Sequence, residues 1–262
     1  MLFTVVLIYL SICLIFYLFQ HLFFFRPEIL PSTFNYSFAF PFEAVQFKME
    51  DGGFIEGIYF KVPNSKGVVY YLKGNSRSIK GWGKFASDFL SNGYDFFMFD
   101  YRGFGKSKGR RTQSTLFNDA EHIYKWLLEK YPENKIILYG RSLGSGIAAH
   151  IASKNKPKIL ILDSPYFSFY YSVKRFFFLF PLKLILRYDI RTDKYLRDVV
   201  CPVYILHGDK DGIFPISQSR KLKTLFPEKV TLFEIEGAHH NNLPDFPQFY
   251  EYLYDILYTK PV

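Results

Sequence analysis

The five residues Gly140-Arg141-Ser142-Leu143-Gly144 decide the fold, because they join a short apolar run to a stretch with helical spacing. The run before them, 135–139, reads KIILY and is typical of a buried strand. The stretch after them, 143–153, is rich in small residues and predicts a helix. In this strand–turn–helix context, Gly-x-Ser-x-Gly indicates a serine nucleophile on a sharp turn, where side chains at the glycine positions would collide. The alternative is a glycine- and serine-rich turn that only permits tight packing.

Outward from this turn, short apolar runs alternate with helical spacing, which predicts an α/β fold with a mostly parallel sheet and helices on both faces. The turn Asp51-Gly52-Gly53 predicts a hairpin between the first two strands. In such sheets functional residues lie at the carboxyl ends of the strands. The predicted strands are 45–49, 54–61, 68–72, 94–100, 135–139, 159–163, 203–207 and 230–234, and the predicted helices are 82–91, 115–130, 143–153, 217–226 and 245–258.

A base and a carboxylate must accompany a reactive serine, since its hydroxyl is otherwise a poor nucleophile. His239 and His240 are adjacent in the loop after the last predicted strand, and either could be the base. Asp211 lies in the turn after the preceding strand and completes the chain order Ser, Asp, His. Asp163 follows another strand and is the second candidate for the acid. Asp209 comes two residues too early, and we expect it to cap its turn.

The oxyanion of an acyl-transfer intermediate needs two N–H donors. The first is expected from Leu143, directly after the serine, and the second from the loop after the third strand, where Asn75 is preferred and Ser76 is possible. The aspartates and histidines near the two last strands could also be read as metal ligands. The serine motif favours the triad instead, so we expect no metal and no other cofactor.

Taken together, over about residues 42–258 the motifs resemble the α/β-hydrolase superfamily and, within it, the Bem46-like branch of ABHD-type serine hydrolases. The last motif of that branch commonly reads Gly-Ala-Gly-His-Asn, so the resemblance makes His240 the base and puts His239 in place of a glycine. Lys73 stands where the branch usually has histidine, which affects hydrogen bonding in the oxyanion loop. The matching motifs are Tyr71-Leu72-Lys73-Gly74-Asn75, Asp100-Tyr101-Arg102-Gly103-Phe104-Gly105, Gly140-Arg141-Ser142-Leu143-Gly144, Asp163-Ser164-Pro165-Tyr166, the stretch 180–186, His207-Gly208 with Asp211, and Gly237-Ala238 with His240-Asn241.

The N-terminus carries no charged residue between 2 and 19, a length of roughly 27 Å as a helix, close to the hydrocarbon thickness of a bilayer. Nothing basic precedes the run and bulky residues fill its end, which favours an uncleaved anchor over a signal peptide. The all-round hydrophobicity argues against a buried core helix. We predict a transmembrane anchor at 1–26 that contacts the bilayer through 2–25, a linker at 27–41 and a catalytic domain at 42–262. Arg26 and later lysines follow the anchor, which indicates a cytoplasmic domain.

The composition is 49% hydrophobic with a formal net charge of +9, which is typical of a globular protein with acidic partners. Anionic lipid is preferred over nucleic acid, because no block of basic residues, zinc-ligand spacing or RNA-binding signature is present. A disulfide between Cys13 and Cys201 is not expected, since Cys13 lies inside the apolar N-terminal run.

A lid at about 166–197 follows from the aromatic stretch 166–188, which lies where this fold usually carries cap elements. We expect it to cover the triad and hold an acyl chain; its aromatic and basic residues also suit a membrane surface. The predicted function is a membrane-anchored serine hydrolase that cleaves ester or thioester bonds of acyl lipids or acylated molecules. The alternatives are a serine peptidase and a non-catalytic membrane-bound binding module. The expected substrate-binding residues are Arg141, Tyr166, Phe167 and Phe214.

Overall fold

The eight predicted strands are all present in the computed structural model, which describes residues 1–258, and they form one sheet. The sheet order is β1-β2-β4-β3-β5-β6-β7-β8. Strands β1 and β2 form the predicted hairpin, β2 pairs antiparallel with β4, and all other pairs are parallel. The strands are β1 Phe42–Lys48, β2 Phe54–Phe60, β3 Val68–Leu72, β4 Asp95–Phe99, β5 Ile136–Arg141, β6 Ile159–Asp163, β7 Val203–Gly208 and β8 Val230–Ile235.

Helices cover both faces of the sheet, as the strand–helix alternation predicts, and the apolar core divides into one cluster on each face. The fold class predicted from the sequence is thereby confirmed. The helices are α1 Leu2–Phe24, α2 Ile79–Trp82, α3 Ser87–Leu90, α4 Gln113–Leu128, α5 Leu143–Ala152, α6 Phe169–Lys174, α7 Leu182–Ile185, α8 Thr192–Asp198, α9 Ser217–Leu225 and α10 Pro247–Tyr258; 3-10 turns lie at Gly83–Ala86, Glu133–Lys135 and Leu243–Asp245.

The helix predicted at 82–91 is instead a series of short pieces: α2, a 3-10 turn and α3. Two glycines, Gly81 and Gly83, weaken continuous helix here. Gly83 also has a packing role, because a Cβ at this position would lie 2.3 Å from the Phe38 ring. The absence of a side chain at Gly83 therefore lets the Phe38 ring pack closely over this face.

The N-terminal helix α1 is long and apolar enough to cross a membrane, with a mean hydropathy of 2.6 over its best window and 11% of that window buried. It is a candidate span near the N-terminus, where a signal sequence would have the same properties. One side of α1 is covered by the lid, and its buried residues are Cys13, Phe16, Gln20 and Phe24. Cys13 and Cys201 are both free, as expected from the sequence.

The segment after α1 is joined to the predicted catalytic domain by backbone hydrogen bonds. Arg26 bridges Ser76 in parallel fashion, and the N–H of Leu30 donates to the Gly105 carbonyl over 2.9 Å. The Glu28 carboxylate accepts from the Ser78 hydroxyl over 2.6 Å. The first residues of the predicted linker 27–41 are thus held against the oxyanion loop and the loop after β4. Residues 259–262, the end of the predicted catalytic domain, lie outside the described residues.

Candidate active site

Ser142 occupies the sharp turn between β5 and α5, with φ at 52° and ψ at −117°, a strained backbone for a residue with a side chain. The flanking glycines are required by close approach. A Cβ on Gly144 would lie 1.9 Å from the Leu72 carbonyl oxygen, and one on Gly140 would lie 2.5 Å from the Gly144 oxygen. The turn thus has the geometry that the Gly-x-Ser-x-Gly pattern predicts.

A continuous hydrogen-bond chain runs from Ser142 through His240 to Asp211. His240 Nε2 lies 2.9 Å from the Ser142 Oγ, and His240 Nδ1 lies 2.7 Å from Asp211 Oδ2. Since a carboxylate only accepts, Nδ1 carries the imidazole proton and Nε2 is free to accept the serine proton. The three residues come from the ends of β5, β7 and β8, where the parallel sheet brings them together at one edge.

Asp211 is fully buried, and each of its oxygens is hydrogen bonded. Oδ1 accepts the N–H groups of Ile213 and Phe214, both over 2.8 Å, which fixes the carboxylate plane. Burial alone would raise the pKa of Asp211, but hydrogen bonds from His207 and His240 outweigh it and hold the pKa well below its ordinary range. Asp211 is therefore ionised at neutral pH and can stabilise an imidazolium at His240.

His207 is a further residue of this network, and sequence reasoning did not assign it a role. Its Nε2 lies 3.1 Å from Asp211 Oδ2 and 2.8 Å from the Phe214 carbonyl oxygen, so this nitrogen carries the proton. Its Nδ1 lies 2.6 Å from the Ser219 hydroxyl, which donates to it. The only sequence signal was its place at the carboxyl end of β7, within a motif that the resemblance had already matched.

The other candidate acids and the second histidine have different partners. Asp163 accepts from the Tyr139 hydroxyl over 2.8 Å and pairs with Arg141 at 3.4 Å. Asp209 accepts from the backbone N–H of Gly237 over 2.7 Å and so caps the turn after β8. His239 is exposed, and among residues 1–258 its side chain makes no hydrogen bond to Ser142, His240 or Asp211. Of the alternatives left open by the residues, only Asp211 and His240 align with the serine.

The two residues predicted to form an oxyanion hole both lie beside the Ser142 turn. Leu143 begins α5, and Asn75 follows β3 in a loop where a Cβ on Gly74 would lie 3.6 Å from the Ser142 Cβ. Among residues 1–258, the N–H groups of Leu143 and Asn75 donate to no protein acceptor. The loop is held from α1, because the Asn75 side-chain amide donates to the Phe24 carbonyl over 2.7 Å.

Lys73, in place of the usual histidine, forms a buried ion pair beneath this loop. Its Nζ lies 3.3 Å from the Asp100 carboxylate and donates to the Arg77 carbonyl over 3.2 Å. Burial lowers the pKa of Lys73 to about 8 against the attraction of Asp100, and burial raises the pKa of Asp100 to about 6. The ammonium also lies 3.9 Å from the centre of the Phe104 ring. The Lys73 side chain therefore ties the two ends of the loop 73–77 together.

The serine opens into a cavity of about 500 Å³. Of the expected substrate-binding residues, Arg141 and Phe214 line it. Tyr166 lies behind the wall, where it packs on Phe214 and its hydroxyl donates to the Leu143 carbonyl, and Phe167 packs outside against Tyr171. The apolar part of the wall comprises Phe23, Phe24, Trp82, Phe169, Val173, Phe176, Phe177, Ile213 and Phe214.

Arg141 connects several parts of the site. Besides its contact with Asp163, its Nη2 lies 3.5 Å from the His240 carbonyl oxygen. Its guanidinium lies 5.6 Å and 5.2 Å from the ring centres of Trp82 and Phe85. Arg141 is thus held by its neighbours while it still presents a face to the cavity.

Comparisons with known proteins agree with this fold. Residues 63–190 match the family model Hydrolase_4, described as serine aminopeptidase, S33. The chain is 28% identical over 218 residues to the lysophosphatidylserine lipase ABHD12 of Danio rerio, covering 76% of this chain and 56% of that protein. It is 29% identical over 225 residues to the α/β-hydrolase domain-containing protein 17C of Xenopus laevis, covering 80% of this chain and 68% of that protein.

Solved structures share the architecture at lower identity. An esterase of Pyrococcus furiosus has a TM-score of 0.70 at 21% identity, covering 89% of this chain and 96% of that one. The esterase EaEST of Exiguobacterium antarcticum has a TM-score of 0.65 at 19% identity, covering 83% of this chain and all of that one. These likenesses concern the fold.

The sheet, the serine turn and the comparisons together define an α/β-hydrolase. Within that class the chain is similar to the ABHD-type serine hydrolases. The chain spans about half the length of the ABHD12 relatives that it matches.

Proposed function

We propose that this chain is a membrane-anchored serine hydrolase that cleaves ester or thioester bonds of acyl lipids through an acyl-enzyme. The observation that carries the proposal is the hydrogen-bond chain Ser142–His240–Asp211, which ends in a cavity walled largely by aromatic rings. The names of the relatives, lysophosphatidylserine lipases, support a lipid ester as substrate. The long apolar helix α1 supports attachment to a membrane.

In the proposed acylation step, the Ser142 Oγ attacks the substrate carbonyl carbon while His240 Nε2 takes its proton. Asp211 stabilises the resulting imidazolium through Nδ1 and remains ionised. The negative charge on the carbonyl oxygen is met by the free N–H groups of Leu143 and Asn75, the first of which also lies at the positive end of the α5 dipole.

Collapse of the intermediate breaks the bond between the acyl carbon and the leaving oxygen or sulfur, and His240 returns the proton to that atom. Water then enters, gives its proton to His240 and attacks the acyl carbon. Release of the carboxylic acid regenerates Ser142 with its hydroxyl proton. The cycle balances with the substrate and one water molecule as its reactants.

The proposal is tested by fluorophosphonate labelling and turnover of p-nitrophenyl esters by the detergent-solubilised full chain. We expect Ser142→Ala to lose labelling and turnover. Ser153→Ala is the matched control, because Ser153 directly follows the same helix and, among residues 1–258, its hydroxyl donates only to the His150 carbonyl of its own turn. No labelling of a folded wild type would favour the non-catalytic binding module instead.

A serine peptidase remains a second candidate, because the matching family model is described as a serine aminopeptidase. The same triad could attack an amide. Parallel assays with aminoacyl p-nitroanilides and p-nitrophenyl esters separate the two functions. A higher kcat/KM for the anilides than for the esters would favour a peptidase and contradict the lipid-ester proposal.

A further inference from the structure

The wall of the active-site cavity is built partly from the apolar N-terminal helix. Phe23 and Phe24, in the last turn of α1, line the same cavity as Ser142 and His240. The Phe24 ring packs edge-on against Phe169 of the lid helix α6, with ring centres 4.9 Å apart. A helix that served only as a membrane tether would not need to line the cavity that contains the reactive serine.

The lid runs back along α1 for most of the helix. The Tyr9 hydroxyl donates to the Leu179 carbonyl over 2.9 Å, 15 residues before Phe24, or about 22 Å along the helix. Closer to the domain, the buried Gln20 side chain donates to the Ile185 carbonyl over 2.9 Å.

The same Gln20 side chain also bonds the chain just beyond Ile185. Its Oε1 accepts from the backbone N–H of Arg187 over 2.9 Å. One buried amide thus satisfies two backbone groups of the lid, which fixes the lid on α1 as one unit.

This unit exposes large apolar side chains on the outside of the lid. Phe178, Leu179 and Leu184 are 70%, 71% and 84% exposed, and Phe176 beside the cavity is 60% exposed. The outward face of α1 continues the same apolar surface. Exposed apolar side chains of this kind are unfavourable in water, and exposed Lys174, Arg175 and Lys183 lie among them. A lid of this composition that is bonded to α1 suits the interface of the membrane that holds α1.

We infer that the acyl chain of a membrane-resident lipid reaches Ser142 sideways from the hydrocarbon layer, between Phe23 of α1 and Phe176 of the lid. Phe23 and Phe24 then form part of the acyl-binding wall and help to set chain-length specificity. This inference rests on the proposed function and assigns its substrate class: lipids that keep their chain in the leaflet during hydrolysis. The polar side chains of Arg26, Ser76 and Asn241 in the same wall suit the headgroup side of such a lipid.

The first test uses the full chain in phospholipid nanodiscs with p-nitrophenyl esters from acetate to palmitate. We expect Phe23→Trp to lower, and Phe23→Ala to raise, the ratio of long-chain to short-chain kcat/KM by about tenfold, the scale of one or two methylenes in an apolar pocket. Phe19→Trp and Phe19→Ala are the matched controls, because Phe19 lies about one turn earlier on α1 and is absent from the cavity wall. Fluorophosphonate labelling normalises the amount of competent enzyme.

The outcomes of this test distinguish a failure of the acyl-wall inference from a failure of the proposed serine hydrolase function. Labelled, active enzyme whose chain-length profile responds equally to changes at Phe23 and Phe19 overturns the inference and leaves the proposed function standing. Absence of labelling in the wild type overturns the proposed function itself.

The second test places an indole on the lid. We expect Phe178→Trp, in vesicles that contain phospholipids with brominated acyl chains, to be quenched well beyond the background of the native Trp82 and Trp126. Added emission that is unquenched and typical of indole in water would show that the lid lies outside the bilayer, and sideways entry would be wrong.

Discussion

At the residue scale, the carboxylate assignment gives the sharpest prediction for catalysis. Asp211→Asn retains an oxygen for the N–H groups of Ile213 and Phe214 but presents an amide to His240 Nδ1, which favours the wrong imidazole tautomer. We expect kcat to fall by about 10⁴ with the fold intact. Steady-state hydrolysis of a p-nitrophenyl ester measures it.

Asp209→Asn is the control for this change. Its side chain keeps an oxygen that can accept from the Gly237 N–H, and within residues 1–258 it makes no hydrogen bond to His240. We expect activity within a factor of about two of wild type, since surface substitutions of this kind cost little. Equal losses in the two variants would argue against Asp211 as the acid of the triad.

The buried pair Lys73–Asp100 gives a prediction for stability. Lys73→Met leaves the Asp100 carboxylate buried without its cation, and we expect the free energy of unfolding to fall by about 3–5 kcal/mol at pH 8. The double variant Lys73→Met, Asp100→Asn removes the uncompensated charge, so its free energy of unfolding should fall by less than that of Lys73→Met. Denaturant unfolding of the solubilised protein compares them.

The pH dependence of the single variant has a defined sign. Without Lys73, the folded-state pKa of Asp100 rises further above its unfolded value of about 3.9, because burial and the charge of Glu28 raise this pKa and the hydrogen bond from the Ile79 N–H is left to lower it. A carboxyl group whose pKa is higher in the folded state than in the unfolded state stabilises the folded protein below the unfolded-state pKa. This stabilisation is lost as the pH rises through the folded-state pKa. The deficit of Lys73→Met should therefore be smaller at pH 5 than at pH 8, and a constant deficit would contradict an unpaired charge as its cause.

Single residues differ in how far the sequence could predict them. Ser142, Asp211 and His240 follow strands of a parallel sheet, so their convergence at one edge follows from the alternation of elements. His207 could not be predicted in the same way, because its role depends on a hydroxyl at Ser219 that only the docking of α9 brings near. Its burial within β7 reads locally as an ordinary strand position.

At the element scale, the strand–turn–helix around the nucleophile makes a steric prediction. Gly144→Ala places a Cβ 1.9 Å from the Leu72 carbonyl oxygen, which is backbone and cannot rotate away. We expect a destabilisation of about 1–3 kcal/mol, together with loss of activity as β3 and α5 separate. Thermal unfolding and ester turnover measure the two effects.

Gly212→Ala is the matched control, because a Cβ there meets nothing within 4 Å. It should leave both stability and activity close to wild type. Loss of activity without loss of stability in Gly144→Ala would indicate a local change in the turn, whereas tolerance of the alanine would contradict the close packing of α5 on β3.

The strands were predictable because they are short, apolar and bounded by turn residues, and their observed ends differ from the predicted ones by three residues at most. The lid helices were not predictable, since the apolar residues of the aromatic stretch 166–188 repeat neither every two residues, as in a strand, nor every 3.6 residues, as in a helix. The positions of the lid helices depend on α1, because the Phe16 ring of α1 contacts the rings of Phe177 and Phe180. A segment that acquires its shape from a distant element carries little local signal.

At the scale of the whole molecule, orientation in the membrane can be tested. Arg26 and many later lysines follow α1, so we expect the domain on the cytoplasmic side. An engineered N-glycosylation site at the exposed C-terminal part of α10 should remain unmodified in microsomes. Insertion of three lysines before Leu2 should increase its modification, and efficient modification of the unaltered chain would place the domain on the other side.

The backbone bonds of Arg26 and Leu30 also have a consequence for which esters the enzyme meets. With α1 in a bilayer, they leave no free hinge between helix and domain, so the height of Ser142 above the membrane midplane is set by the fold. An enzyme on a loose tether would sample many heights. Here two lipids with identical ester chemistry would be distinguished by the depth at which each carries its carbonyl, so membrane thickness itself becomes a determinant of rate.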